Sequence, residues 1–150
     1  MPCALRTVYM FCRIRNTKLD LTVNNLFAKV AVLTYCLGAI AHIVVLVSGH
    51  PGDQMPIAIH WIVTLFAGYA GVGFILNIKR MSFKNFSDRF FYGLVLIHLI
   101  TSAIIHTYSI IRSTNEWLTY FSNTYSYFAV VYFITFGYYS YRLDKRIRKM

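Results

Sequence analysis

Four histidines lie within long apolar runs of this sequence, and imidazole is the side chain that most often binds copper, zinc or haem iron. His42, His60 and His106 each lie roughly 6 to 9 Å from the predicted outer end of an apolar run, at about 1.5 Å per helical residue. His98 lies one layer deeper. We predict a metal site of His42, His60 and His106, and a wider cofactor site that also includes His98. Copper and haem are the cofactors that such ligands indicate.

The alternative is that these histidines are neutral, form hydrogen bonds between helices and bind nothing. The sequence has no HxxxH pair, no CxxCH motif and no carboxylate within an apolar run that would orient an imidazole, and each absence favours this alternative. The common depth of His42, His60 and His106 favours a binding site, because an unsatisfied polar group inside a bilayer is costly. No Ser-His-Asp, Cys-His or paired-carboxylate set is present, so we predict no catalytic residues and expect no catalytic activity.

The elements that hold the histidines are predicted to be membrane-spanning helices. Hydrophobic residues make up 57% of the chain and charged residues 13%, which is more apolar surface than a soluble domain of this size can bury. Each of four apolar runs can cross about 30 Å of hydrocarbon, at residues 26–48, 56–78, 90–111 and 117–140. We predict an all-α, integral membrane four-helix bundle over residues 26–140. It would be a multi-pass protein of the cell membrane or of an organelle inner membrane such as the mitochondrial one.

The basic residues predict the orientation of this bundle. Arg112 is the only one of the 15 Lys and Arg residues in a predicted outer loop, so both termini and the central loop are expected on the inner side. The net charge of +10 then indicates anionic lipid at the inner face and no nucleic acid. Residues 1–25 are predicted to form a basic amphipathic segment on the inner surface, with a mitochondrial presequence as the alternative. Residues 141–150 form a basic inner tail.

Small and polar residues repeat at helical spacing in each run, and such faces pack against other helices in membranes. We therefore predict a compact bundle with a partly polar interior. The residues of these faces are Ala31, Tyr35, Gly38 and His42 in the first run, His60, Thr64, Ala67 and Gly71 in the second, His98, Ser102, His106 and Ser109 in the third, and Tyr120, Asn123 and Tyr127 in the fourth.

The central loop carries a family resemblance. In its size, its four predicted spans and the sequence Phe74-Ile75-Leu76-Asn77-Ile78-Lys79-Arg80 followed by Phe83, the chain resembles the GtrA-like small membrane proteins linked to polyprenyl-phosphate sugar translocation. The resemblance implies a carrier of a lipid or a lipid-linked sugar.

Three functions follow as hypotheses. Small size, near absence of soluble domains and the packing faces favour an accessory or structural subunit of a larger membrane complex, of redox or metal-dependent type if the histidine layer binds a metal. Its partners would be the lipid bilayer and other membrane subunits or further copies of the chain. The first alternative is the lipid or lipid-linked-sugar carrier. The second is a small membrane cytochrome with bis-histidine haem.

Overall fold

The computed structural model describes residues 26–47, 56–112 and 123–148, and every regular element in them is helical. The helices are α1 (Leu26–Val47), α2 (Ile57–Asn77), α3 (Phe86–Arg112) and α4 (Asn123–Ile147), with one 3₁₀ turn at Ile78–Arg80 after α2. The prediction of an all-helical chain is therefore confirmed. The predicted segment 1–25 lies outside the described residues.

Three of these helices are long and apolar enough to cross a bilayer, namely α1, α2 with its 3₁₀ turn, and α3. The chain is thus a membrane protein with transmembrane helices. The 25 residues of α4 are also sufficient in length, but tyrosines and serines lower its mean hydropathy below that of the other three. Its crossing of the bilayer, and with it the orientation of both termini, stays a prediction.

The helix boundaries differ from the predicted spans at α3 and α4. Helix α3 begins at Phe86 rather than at residue 90, because the side-chain oxygen of Asn85 accepts a hydrogen bond from the backbone N–H of Asp88 at 2.8 Å and so caps the first turn. Helix α4 runs on to Ile147, into the predicted basic tail. In its last turns Asp144 pairs with Arg148 at i,i+4 spacing, which favours helix.

Helices α2 and α3 pack side by side, as the short connection of residues 78–85 between them requires. Ala67 and Gly71 are buried on α2, and Gly71 faces Ile100 of α3 so closely that an added Cβ would lie 2.7 Å from the Ile100 Cδ1. Nearer the other end of the two helices, the hydroxyls of Thr107 and Thr64 lie 3.5 Å apart. The predicted face of small residues on α2 is therefore the face that packs on α3.

Helix α1 lies against all three other helices. At its beginning the ring of Phe27 packs edge-on against Phe74 of α2, with ring centroids 5.1 Å apart. One to two turns later Ala31 and Tyr35 are fully buried. The Tyr35 hydroxyl donates to the backbone carbonyl of Val95 on α3 at 3.3 Å, and its ring contacts Phe136 of α4. A phenol buried in this way needs such an acceptor, so Tyr35 connects three helices.

Helices α3 and α4 are joined at the end of the bundle that carries the α2–α3 connection, which we call the basic end. Arg146 of α4 holds Asp88 of α3 with two hydrogen bonds, of 2.6 Å to Oδ2 and 3.0 Å to Oδ1. The Tyr139 hydroxyl is 3.0 Å from Oδ1, and the backbone N–H of Lys84 donates to Oδ2. Because the Asp88 carboxylate accepts these bonds, the pKa of Arg146 is raised above its ordinary value.

Close approach of α1 and α2 depends on Gly73. An added Cβ at this position would overlap the Cβ of Phe27 and lie 2.7 Å from its Cγ, whereas one at Gly93 would meet nothing within 4 Å. We expect Gly73→Ala to lower the free energy of unfolding by about 1–3 kcal/mol through overpacking. Gly93→Ala, the matched control, is expected to be neutral or to stabilise by up to about 1 kcal/mol through helix propensity. Thermal unfolding in mild detergent, followed by circular dichroism, compares them. Equal effects of the two changes would contradict the packing.

Candidate functional site

Two of the predicted ligands, His60 of α2 and His106 of α3, are in direct contact. Their Nδ1 atoms lie 2.8 Å apart and their ring centroids 4.9 Å apart. One ring therefore carries its proton on Nδ1 and donates it, while the other accepts. The pairing arises because α2 and α3 are close-packed neighbours and each carries its histidine near the end opposite the basic end, which we call the histidine end.

His42 reaches the same end of the bundle from α1. Its Nδ1 is 3.1 Å from the hydroxyl of Ser126 on α4. The ring also packs edge-on against Tyr125, at 5.6 Å between centroids, and in a tilted arrangement against Phe133, at 5.3 Å. His42 thus joins α1 to α4, as the pair of His60 and His106 joins α2 to α3.

His98 lies deeper, about two turns before His106 on α3. Aromatic rings surround it, with Tyr35 of α1 and Tyr132 and Phe133 of α4 at centroid distances of 5.5, 5.1 and 5.3 Å. Its Nδ1 is buried and has no hydrogen-bond partner among the described residues. Leaving a buried nitrogen unsatisfied costs about 1–3 kcal/mol, so this atom is a position where a bound molecule or a water would gain a hydrogen bond.

A cavity of about 260 Å³ connects three of the four histidines. His42, His98 and His106 line it, and the remaining wall is mostly aliphatic and aromatic, with contributions from all four helices. Its volume is slightly smaller than that of typical small-molecule pockets, which measure about 300–1,000 Å³. An apolar wall with a few nitrogens suits a neutral molecule that has one or two hydrogen-bonding groups.

The structure thus places all four predicted histidines together, in two hydrogen-bonded contacts and one cavity. Among residues 26–47, 56–112 and 123–148, no group of three or more His, Cys, Asp or Glu side chains is arranged to hold a metal ion. The Nδ1 atoms of His60 and His106 are hydrogen-bonded to each other, so these two atoms would have to separate before either could bind a metal ion. Binding of copper or haem by these residues stays a prediction.

Two polar groups of this region were not among the predicted ligands. Ser126 holds His42, and Tyr132 packs on His98 while its hydroxyl bonds to that of Tyr125. Ser126 lies three residues after Asn123 of the predicted polar face of α4, so helical spacing was the signal for it. The side chain of Asn123 and all of Tyr120 lie outside the described part of the chain. Tyr127, the third member of that face, is 65% exposed, so the prediction that it packs inside the bundle is wrong.

Comparison of the chain with profiles of known protein families, with curated proteins and with solved structures gives no match in any of the three. The resemblance of the central loop to the GtrA-like proteins therefore stays a prediction, and the site is interpreted from its own geometry.

The contact between His60 and His106 is testable by a double-mutant cycle. His60→Leu removes the partner of the His106 Nδ1 and is expected to lower the free energy of unfolding by about 1–3 kcal/mol. The double change His60→Leu, His106→Leu should cost less than the sum of the single changes, by about 0.5–3 kcal/mol. Unfolding in mild detergent measures each variant.

The pair His42→Leu, His60→Leu is the control for this cycle. His42 bonds to Ser126 on α4, and His60 bonds to α3, so their effects should add to within about 0.5 kcal/mol. If the changes in the free energy of unfolding also add for His60→Leu and His106→Leu, the two rings do not interact.

Proposed function

We propose that this chain is an accessory subunit of a larger membrane complex, without catalytic activity of its own. The observation that carries the proposal is the outward face of α4. Large side chains there stay exposed on successive helical turns over residues 127–138, and they are Tyr127, Phe128, Val131, Ile134 and Tyr138. A partner helix would cover them.

The side chains on the outward face of α4 are better suited to contact with protein than to contact with lipid. Hydrocarbon solvates the outward faces of α1, α2 and α3 well, because these helices are strongly apolar. Helix α4 is less apolar, and two of its outward residues, Tyr127 and Tyr138, carry hydroxyls. Hydroxyls next to hydrocarbon have no acceptor, whereas a neighbouring helix supplies backbone carbonyls and side-chain oxygens. A partner subunit or a second copy of the chain would therefore stabilise α4 in the bilayer.

Site-specific photocrosslinking in the native membrane tests this proposal. A photoreactive residue at Val131 of α4 should give a crosslinked protein species, and one at Ile104 of α3 should give lipid adducts only. The positions are matched, with side chains 66% and 63% exposed. A crosslinked species of twice the mass of the chain would identify the partner as a second copy, and any other mass a different subunit. Equal protein crosslinking at both positions, or none at either, would contradict the proposal.

The second candidate function is binding and transfer of a lipid or lipid-linked molecule, and the cavity at the histidine end favours it. The cavity offers an apolar volume and three imidazoles, of which that of His98 lies deeper than the other two, and this suits a neutral amphiphile whose polar group accepts or donates hydrogen bonds. The cytochrome hypothesis would use the same histidines with a haem.

Filling the cavity distinguishes these candidates. Ala41 lines it, whereas Ala58 of α2 is exposed and does not. If a lipid-like molecule is bound, Ala41→Phe should reduce its recovery from purified protein by about tenfold by removing its volume, and Ala58→Phe should leave it unchanged. Mass spectrometry of solvent extracts measures recovery, and an optical spectrum with metal analysis is taken alongside.

A Soret band or stoichiometric copper that is lost in His42→Ala, His106→Ala would favour a redox role instead. Colourless, metal-free protein with no extractable ligand would exclude both.

A further inference from the structure

A second cavity, of about 350 Å³, lies at the basic end between the beginning of α3 and the last turns of α4. It is separate from the histidine cavity, and no residue lines both. Three cationic side chains, Lys84, Arg142 and Arg146, line it together with a single carboxylate, that of Asp88. The cavity therefore has a net positive charge and favours an anionic group.

The carboxylate in this cavity is already fully engaged. Both oxygens of Asp88 accept hydrogen bonds from Arg146, and each accepts one more, from the Tyr139 hydroxyl or the Lys84 backbone. Asp88 thus orients the Arg146 guanidinium without needing the other two cations. A guanidinium has five N–H donors, so three of those of Arg146 are left for a ligand.

The other two cations are available to a ligand. Lys84 and Arg142 are exposed, and neither forms an ion pair with the described residues. The guanidinium of Arg142 lies over the ring of Tyr138, 6.0 Å from its centroid, which directs it along the cavity wall. Multiple N–H donors around one space are the arrangement that binds the oxygens of a phosphate.

The cavity changes character along α4. Its lining residues on this helix follow one another by about a turn, from Thr135 through Tyr138 and Arg142 to Arg146, over about 16 Å. The charged side chains come last, near the predicted membrane surface. Phe91 of α3 and the aromatic rings of α4 form the deeper part. A free phosphate would use only the charged part, whereas a phospholipid would use both.

We propose that this cavity binds an anionic phospholipid, with the phosphate between Lys84, Arg142 and Arg146 and the glycerol and acyl carbons against Phe91 and Tyr138. The sequence predicted only that the inner face as a whole attracts anionic lipid. The present proposal names one site on that face and the residues that form it. The site needs neither a partner subunit nor a ligand at the histidine end, and it shares only Tyr138 with the face of α4 on which a partner is proposed.

The test is native mass spectrometry of the full chain released from mixed phosphatidylglycerol and phosphatidylcholine bilayers. The variant Lys84→Gln, Arg142→Gln removes two cavity cations and keeps the pair of Asp88 and Arg146. The control Lys79→Gln, Arg80→Gln removes the same amount of charge from the α2–α3 connection, at positions that do not line the cavity. We expect the cavity variant to retain about tenfold less phosphatidylglycerol than the native chain, and the control less than about twofold less. Circular dichroism and thermal unfolding confirm that both variants fold.

Three results would overturn the proposal. Equal losses in the two variants would show general attraction to basic charge instead of a site. Unchanged retention in the cavity variant would show that the lipid binds elsewhere. Displacement of phosphatidylglycerol by millimolar inorganic phosphate, with direct binding of phosphate that depends on Lys84 and Arg142, would assign the cavity to a soluble anion. Should the double variant fold poorly, the single change Lys84→Gln, at an exposed side chain, gives the same comparison against Lys79→Gln.

Discussion

The ion pair of Asp88 with Arg146 fixes the position of α4, and much of the rest depends on that position. Both side chains are mostly shielded from solvent, and the bidentate geometry admits only one register of α4 against the first turn of α3. An α-helix is rigid over the about 30 Å between Arg146 and Ser126. Setting one end of α4 therefore also sets the other, where Ser126 meets His42 and the aromatic rings enclose His98.

Small residues provide the second constraint, because they determine how near the remaining helices approach. Gly73 allows the backbone of α2 to lie against Phe27 of α1, and Gly71 does the same against Ile100 of α3. His60 and His106 are thereby brought to within hydrogen-bonding distance. In hydrocarbon this matters more than in water, since packing and hydrogen bonds replace the hydrophobic effect between helices. The polar contacts at the histidine end therefore depend on apolar packing along the length of the bundle.

Some of these features could be predicted from the sequence and others could not, and the difference has a physical reason. Hydropathy and helical spacing were sufficient for the apolar helices and for buried faces such as Ala31 with Tyr35, because both depend on residues near one another in the chain. They also placed the histidines at one end, since depth follows from counting residues. Spacing could not show that His60 would pair with His106, or that His42 would face Ser126, because these contacts depend on how α1 to α4 are rotated and ordered.

Asp88 was missed for a different reason. In the sequence it is one acid between Lys84 and Arg89, close to the predicted start of a span at residue 90, and such charges are usually solvated at a membrane surface. The prediction that residues 141–150 form a tail also separated Arg146 from the bundle. Only the continuation of α4 to Ile147 brings the two side chains together, and that continuation depends on a partner 58 residues away in the chain.

The two ends of the bundle are suited to opposite kinds of ligand. Among the residues that the structure describes, the carboxylates are those of Asp88 and Asp144, and both lie at the basic end, so neither can stabilise an imidazolium at the histidine end. Neutral imidazoles in this setting form hydrogen bonds with one another and with hydroxyls, as His60 does with His106. The cavity beside them favours an uncharged molecule. At the basic end the cations outnumber the two carboxylates, those of Asp88 and Asp144, and face water or headgroups, where charge costs little. Apart from Arg112 at the end of α3, the charged side chains of the described residues thus lie towards the basic end, and the polar groups around the histidine cavity are neutral, because burying a charge next to hydrocarbon costs far more than burying a hydrogen-bonded neutral group.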